Sequence, residues 1–296
     1  MRRILSGLGL VALLGLGAAY VITRPQSSDP ATLAGLTGDP IHGEMVFWAG
    51  GCASCHAAPG AEGEARLVLA GGLRLSTAFG TFIAPNISPH TAQGIGAWTV
   101  EDLDPAMRHG TSPQGRHYFP AFPYTSYAHA TPQDVADLHA FLMTLPASDR
   151  ASEPHEIGFP FNQRLLLGGW KLLNAGTGWV VTGDLTAEET RGRYLVEGLG
   201  HCSECHTPRD ALGGRNLSHW LAGGPNPEGQ GNIPNITPAH LSWTASEIAE
   251  YLKSGFTPEY DFAGGSMAAV VTNLSHLPDT DRQAIAAYLA RVPPLP

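Results

Sequence analysis

The sequence predicts an all-α protein of two tandem, repeated domains behind an N-terminal transmembrane helix. Three observations carry this. One set of landmarks recurs in the same order in both halves of the chain. Four helix-start signals fall where that repeat needs helices, and no stretch shows the sustained two-residue alternation of strands with hairpin turns. An apolar run from Ile4 to Ile22 follows Arg2 and Arg3.

The apolar run has about 19 residues, just enough to cross a bilayer. It ends at Thr23-Arg24-Pro25 and a polar stretch from Gln26 to Pro30. This is an export signal, with Gly17-Ala18-Ala19 as a place to cut; the reading adopted is an uncleaved anchor, its arginines inside the cytoplasm and the body of the chain outside. The expected organisation is then anchor and linker over 1–30, domain 1 over 31–150, a connector over 151–185 and domain 2 over 186–296.

In the repeat, Gly43-Glu44-Met45-Val46-Phe47-Trp48 answers to Gly192-Arg193-Tyr194-Leu195-Val196-Glu197, and Pro85-Asn86-Ile87-Ser88-Pro89 to Pro234-Asn235-Ile236-Thr237-Pro238. Trp98-Thr99 and Trp243-Thr244 open middle helices, and apolar helices over Val135–Leu145 and Ile285–Val292 close each half before Pro146 and Pro293. Thr99 with Asp102, Thr131 with Asp134, Thr186 with Glu189 and Thr244 with Glu247 have the capping-box spacing: the hydroxyl takes an orphan amide and the acid opposes the helix dipole. The connector holds Phe159-Pro160-Phe161-Asn162 and an apolar run from Leu165 to Leu173, which reads as a segment packing one domain on the other or as a docking face.

Each half also carries one copy of a pentapeptide: Cys52-Ala53-Ser54-Cys55-His56 and Cys202-Ser203-Glu204-Cys205-His206, which together use every cysteine. The pattern is that of covalent c-type haem attachment. Two thiols add across the haem vinyl groups, the two-residue gap sets their separation, and the adjacent imidazole becomes the proximal iron ligand. Cys52, Cys55 and His56 would hold haem 1, and Cys202, Cys205 and His206 haem 2. A zinc ribbon needs its second pair within about 15–20 residues, and a thioredoxin-like motif needs no following His and sits in a βαβ context. A pair of structural disulfides is the remaining alternative.

These features make both halves class I cytochrome c domains, in which the sixth ligand is a Met between the middle and last helices. Met267, in Gly264-Gly265-Ser266-Met267, fits that place in domain 2, with a core Met as the alternative. It follows Trp243 by 24 residues, and the same step from Trp98 lands on Phe122, which cannot bind iron. Nearby candidates are His129, His117, His109 and Met107; Met107 fits core packing with Leu103. Haem 1 is left with His129, another residue, or no protein ligand.

The formal net charge of −9 excludes a nucleic-acid reader, which needs a basic face. With 43% hydrophobic residues, 15% charged, 36 Gly and 24 Pro, the chain reads as short helices joined by irregular loops, suited to wrapping a large flat cofactor.

The chain resembles the multihaem cytochrome c subunits of membrane-bound bacterial alcohol and gluconate dehydrogenases. The resemblance lies in Phe79-Gly80-Thr81-Phe82-Ile83-Ala84-Pro85-Asn86-Ile87-Ser88-Pro89, Gly94-Ile95-Gly96-Ala97-Trp98-Thr99, Ala106-Met107-Arg108-His109-Gly110, the stretch from His117 to Tyr127, and Phe159-Pro160-Phe161-Asn162. It implies two covalently bound haem c groups and relay of single electrons from a periplasmic dehydrogenase to a cytochrome, quinone or oxidase, on the periplasmic side of the inner membrane. Such subunits have three haem domains; this chain stops at two. In the family pattern position 122 is the axial Met, and His117 matches a residue often found beside it. The implied role is electron transfer rather than catalysis; ligation by His206 and Met267 would make haem 2 the higher-potential centre. Its rivals, a dihaem peroxidase-like enzyme or a gas sensor, would work through an open haem 1.

Overall fold

The computed structural model describes residues 2–226, 229 and 231–296; the side chains of 2–9, 11, 12 and 16 lie outside that description. Helix α1 (Arg2–Thr23) and the short α2 (Pro30–Leu33) precede domain 1. Domain 1 runs α3 (Pro40–Ala49), α4 (Cys52–His56), strands β1 (Arg74–Thr77) and β2 (Gly80–Ile83), α5 (Val100–His109), α6 (Tyr124–Tyr127) and α7 (Pro132–Leu142). The connector contains α8 (Leu166–Asn174). Domain 2 repeats the order with α9 (Ala187–Arg193), α10 (Ser203–His206), β3 (Gly224–Pro225), β4 (Asn232–Ile233), α11 (Ala245–Ser254), α12 (Gly265–Leu274) and α13 (Asp279–Leu289).

Two expectations are corrected. Among the described residues no helix is long and apolar enough to cross a membrane, so the N-terminal transmembrane helix does not stand. Glycines and polar ends dilute the apolar run of α1, and its last residue turns back to the protein body: the Thr23 carbonyl accepts from His117 Nε2 at 2.9 Å, beside Gly168 of α8. Nor is the fold all-α. Antiparallel pairs β1–β2 (Arg74 opposite Ile83) and β3–β4 (Gly224 opposite Ile233) follow each haem motif.

The helix starts follow the sequence signals. Glu189 and Glu247 reach back to the amides of Thr186 and Thr244 at 2.7 Å, and Asp102 to Thr99 at 3.1 Å. At Thr131 the box is half replaced: its hydroxyl accepts from the Asp134 amide at 3.0 Å, but the Thr131 amide donates to Tyr194 Oη of domain 2.

In both domains the leading helix crosses the closing helix at a glycine. A Cβ on Gly43 would stand 2.0 Å from the Asp137 carbonyl oxygen, and one on Gly192 would stand 1.8 Å from that of Ala284. Around these crossings lie Val46, Phe47, Leu138 and Leu142 in domain 1 and Leu195, Val196, Ile285 and Tyr288 in domain 2, within one core cluster that runs through both domains. Domain 2 has one more residue between its glycine and its first cysteine than domain 1 has. The extra residue is taken up as a π-turn over Tyr194–Leu199, with Gly200 N donating to Leu195 O where Gly50 N donates to Val46 O.

Candidate haem centres

The two pentapeptides form matching short helices, α4 and the turn leading into α10, and neither contains a disulfide. Burial pushes the Cys52 and Cys202 thiols up to about 12 and Cys55 up to about 11. A redox-active pair has a thiol whose pKa is lowered by nearby positive charge or a helix N-terminus. Cys52, Cys55 and Cys202 are thus neutral thiols, and a thiol adding across a vinyl group gives the thioether.

The imidazoles are held alike. His56 Nδ1 donates to the Pro85 carbonyl at 2.8 Å, and His206 Nδ1 to the Pro234 carbonyl at 2.9 Å. A proton on Nδ1 leaves the Nε2 lone pair for a metal, the usual outer support of a ligating imidazole. Burial lowers both imidazole pKa values, the bond to the proline carbonyl opposing it, so both stay neutral. The prolines are fixed by the asparagines that follow: Asn86 Nδ2 donates to the Ser148 and Arg150 carbonyls, and Asn235 Nδ2 to that of Leu295. The repeated Pro-Asn-Ile motif was visible in the sequence, but the role of its proline carbonyl was not, since backbone oxygens carry no residue signature.

The thiol pair, the oriented imidazole and the enclosing core fit a covalently attached haem at each site, which supplies one-electron iron chemistry when bound. Phe122 and Met267 occupy equivalent positions in the two domains. Between the middle helix and these residues the backbone bonds recur at a constant offset of 145 residues: Ser112 N to Arg116 O and Thr257 N to Asp261 O, Tyr118 N to Gly110 O and Ala263 N to Gly255 O, all 2.8 Å. Met267 stands in the first turn of α12 rather than in a loop, partly buried against the core. Phe122 packs edge-on against Tyr118 and tilted against Tyr127.

The other distal candidates have other contacts. The His129 ring stacks on Trp179 of the connector at 3.9 Å, Arg193 lies over the same indole, and burial with Arg215 and Arg193 brings its pKa down to about 4. His117 donates to Thr23, Met107 is in the core, and the His109 carbonyl accepts from Lys171.

Each motif also bonds to the opposite domain through a variable residue. Ser54 Oγ accepts from Asn273 Nδ2 of α12 at 2.7 Å, and Arg66 donates to Asn273 Oδ1 at 2.6 Å. Glu204 accepts from Thr125 and Ser126 of α6 at 3.3 and 3.2 Å, and Arg215 bridges Ser126 and Ser203. Burial raises the Glu204 pKa, but Arg215 and Arg209 outweigh it and hold the carboxyl below its ordinary range. Trp48 stacks on His276 at 3.8 Å, and the ring of Tyr127 meets that of His201 edge-on. These interface residues had no sequence signal, because their partners lie far away in the chain.

The sequence profile described as "Cytochrome c" matches residues 41–146 and again 190–293. The chain belongs to the cytochrome c family. It is a dihaem member, with two covalently bound haem c groups. A relative described as "Diheme cytochrome c-type" from Cereibacter sphaeroides is 69% identical over 99% of both chains. The fructose dehydrogenase cytochrome subunit of Gluconobacter japonicus is 37% identical over 98% of this chain and 60% of that subunit. The cytochrome c subunit of the quinone alcohol dehydrogenase of Gluconobacter oxydans is 32% identical over 99% of this chain and 60% of that subunit. This cytochrome therefore spans about three fifths of the two dehydrogenase subunits named here.

Proposed function

We propose that this dihaem cytochrome relays single electrons from a periplasmic dehydrogenase to a respiratory-chain acceptor such as a cytochrome, a quinone or an oxidase. The observation that carries the reading is the shared interface of the two haem motifs. Residues lying between the cysteines of each motif bond to the opposite domain, Ser54 to Asn273 and Glu204 to Thr125 and Ser126. An electron arriving at one haem then has the other as its neighbour. The dehydrogenase subunits that this chain resembles favour an oxidoreductase as donor.

The direction of flow comes from the distal side. Met267 beside haem 2 offers a thioether, which raises the reduction potential, whereas haem 1 faces Phe122. With His129 engaged on Trp179, haem 1 without a protein sixth ligand is the best-supported of its alternatives. Haem 1 is then the lower-potential centre, and electrons fall toward haem 2. The test is a redox titration of the holoprotein followed in the visible spectrum. Two one-electron steps with haem 2 higher are expected; haem 1 at or above haem 2 would sink the ordering.

Phe122 also favours one second reading, a peroxidase-like enzyme or gas sensor at haem 1. Turnover of hydrogen peroxide by the purified holoprotein, dependent on haem 1, would replace the relay by an enzyme.

A further inference from the structure

The hairpin that precedes the distal residue exists twice, and only one copy is covered. In domain 1 it bridges Thr111 and His117, and in domain 2 Phe256 and Phe262, with the same backbone bonds in both. The domain 1 copy lies under the connector and the end of α1. Lys171 Nζ of α8 donates to the carbonyls of His109 and Gly110 at 2.6 and 2.8 Å, Arg164 to that of His117 at 2.6 Å, and His117 itself to Thr23. Thr111 and His117 are accordingly buried.

In domain 2 the matching face carries large aromatic side chains in the open: Phe256 is 62% exposed, Phe262 70% and Tyr260 97%. The tip is the most telling position. Gly115 in domain 1 has φ +66°, and Tyr260 takes φ +65° at the equivalent place. A left-handed backbone suits glycine and strains a bulky residue, so an exposed tyrosine there carries a cost that packing within this chain does not repay. Glu259 and Asp261 flank it, and among the described residues neither forms an ion pair with a cation. The hairpin leads directly into Gly264, Gly265 and Met267.

We propose that the Phe256–Phe262 hairpin docks an apolar helix bearing a lysine or arginine, presented by the protein that exchanges electrons with haem 2. That purpose rests on the electron-relay reading above. The occupant is the counterpart of the chain's own α8: its apolar side covers the aromatic side chains, and its cation meets the helix-end carbonyls of Ser254 and Gly255 between Glu259 and Asp261.

The experiment uses the full holoprotein and, as probe, a synthetic peptide of the chain's own residues 160–176. Binding is read by isothermal titration calorimetry. Saturable binding that weakens with salt is expected. It should fall about ten-fold or more in Phe262→Ser and in Tyr260→Gly, and again when the peptide lysine is replaced by glutamine. Tyr260→Gly should leave the Tm unchanged or raise it by about 2–4 °C, which separates lost docking from damaged folding. Absence of binding to the wild-type protein, or binding indifferent to both substitutions, overturns the proposal. So does a homodimer dispersed by Phe262→Ser, or vesicle binding that depends on these aromatic residues, since either gives the face another occupant. Two one-electron waves retained in every variant locate such a failure in docking and not in the relay.

Discussion

Glu204→Gln removes the one carboxylate that sits inside a haem motif and between the two domains. In the wild type its Oε2 lies 2.5 Å from Arg209 and its Oε1 3.5 Å from Arg215, and both Glu204 and Arg215 are largely buried. At an effective dielectric of about 20, a pair at such separations has about 5 kcal/mol or more of Coulomb attraction, much of it offset by the loss of hydration. The variant keeps the shape but leaves Arg215 buried without its counter-charge. A loss of about 3 kcal/mol at pH 7 is expected, toward the lower end for breaking a buried pair, which lowers the Tm by about 6–12 °C. The pH profile supplies a second check. The folded pKa of Glu204 is depressed, so its contribution is fully present above the unfolded value of about 4.3 and is lost as pH falls through the folded value. The stability gap between wild type and variant should therefore be flat from pH 7 to about pH 5 and close in more acidic solution. Thermal unfolding of both holoproteins by circular dichroism measures it. A gap under about 1 kcal/mol at pH 7, or one that widens in acid, refutes the assignment of an ionised, structure-bearing carboxylate.

Other expectations follow from the same geometry. The reduced wild-type protein should bind carbon monoxide at one haem, and Phe122→Met should slow or abolish that binding and raise the lower of the two potentials; unchanged spectra would show that position 122 does not face the iron. Arg282→Leu should cost about 3 kcal/mol in thermal unfolding, because the buried guanidinium donates to the Leu274, Ser275 and Leu277 carbonyls at the end of α12, and a loss below about 1 kcal/mol would mean that those carbonyls find other partners. Gly192→Ala should destabilise by several kcal/mol, since its Cβ would meet the Ala284 carbonyl; a near-neutral effect in a denaturant titration would mean that α9 can move away from α13 at little cost.

The two haem motifs stand out in the sequence because the chemistry fixes residue types at fixed spacing, and the pairing of Phe122 with Met267 because the duplication supplies its own ruler. The offset of 145 residues that pairs Phe122 with Met267 reappears bond by bond in the hairpins preceding them. Strands β1 and β2, four residues each, are too short to show a period, and β3 and β4 are shorter still. The anchor was misread because hydropathy over Ile4–Ile22 registers composition, while Thr23 and its contacts with His117 and Gly168 depend on the fold. The pairing of Ser54 with Asn273 spans 219 residues, a distance over which one sequence carries no hint.

The π-turn of domain 2 changes how the two haem domains can diverge. A residue added to a continuous helix ordinarily rotates everything beyond it by about 100°. Here the widened turn absorbs the addition, so the second motif keeps the position that its counterpart has in domain 1 and His206 still finds Pro234. Directly before Cys202, His201 takes the left-handed place that Gly51 has before Cys52, with φ +39° against +65°, and its ring meets that of Tyr127 edge-on across the seam. The duplicated halves thus differ in length within a helix while both cofactor sites stay in register, and their unlike contact at the junction is a matter of side chain, an imidazole at 201 where domain 1 has Gly51.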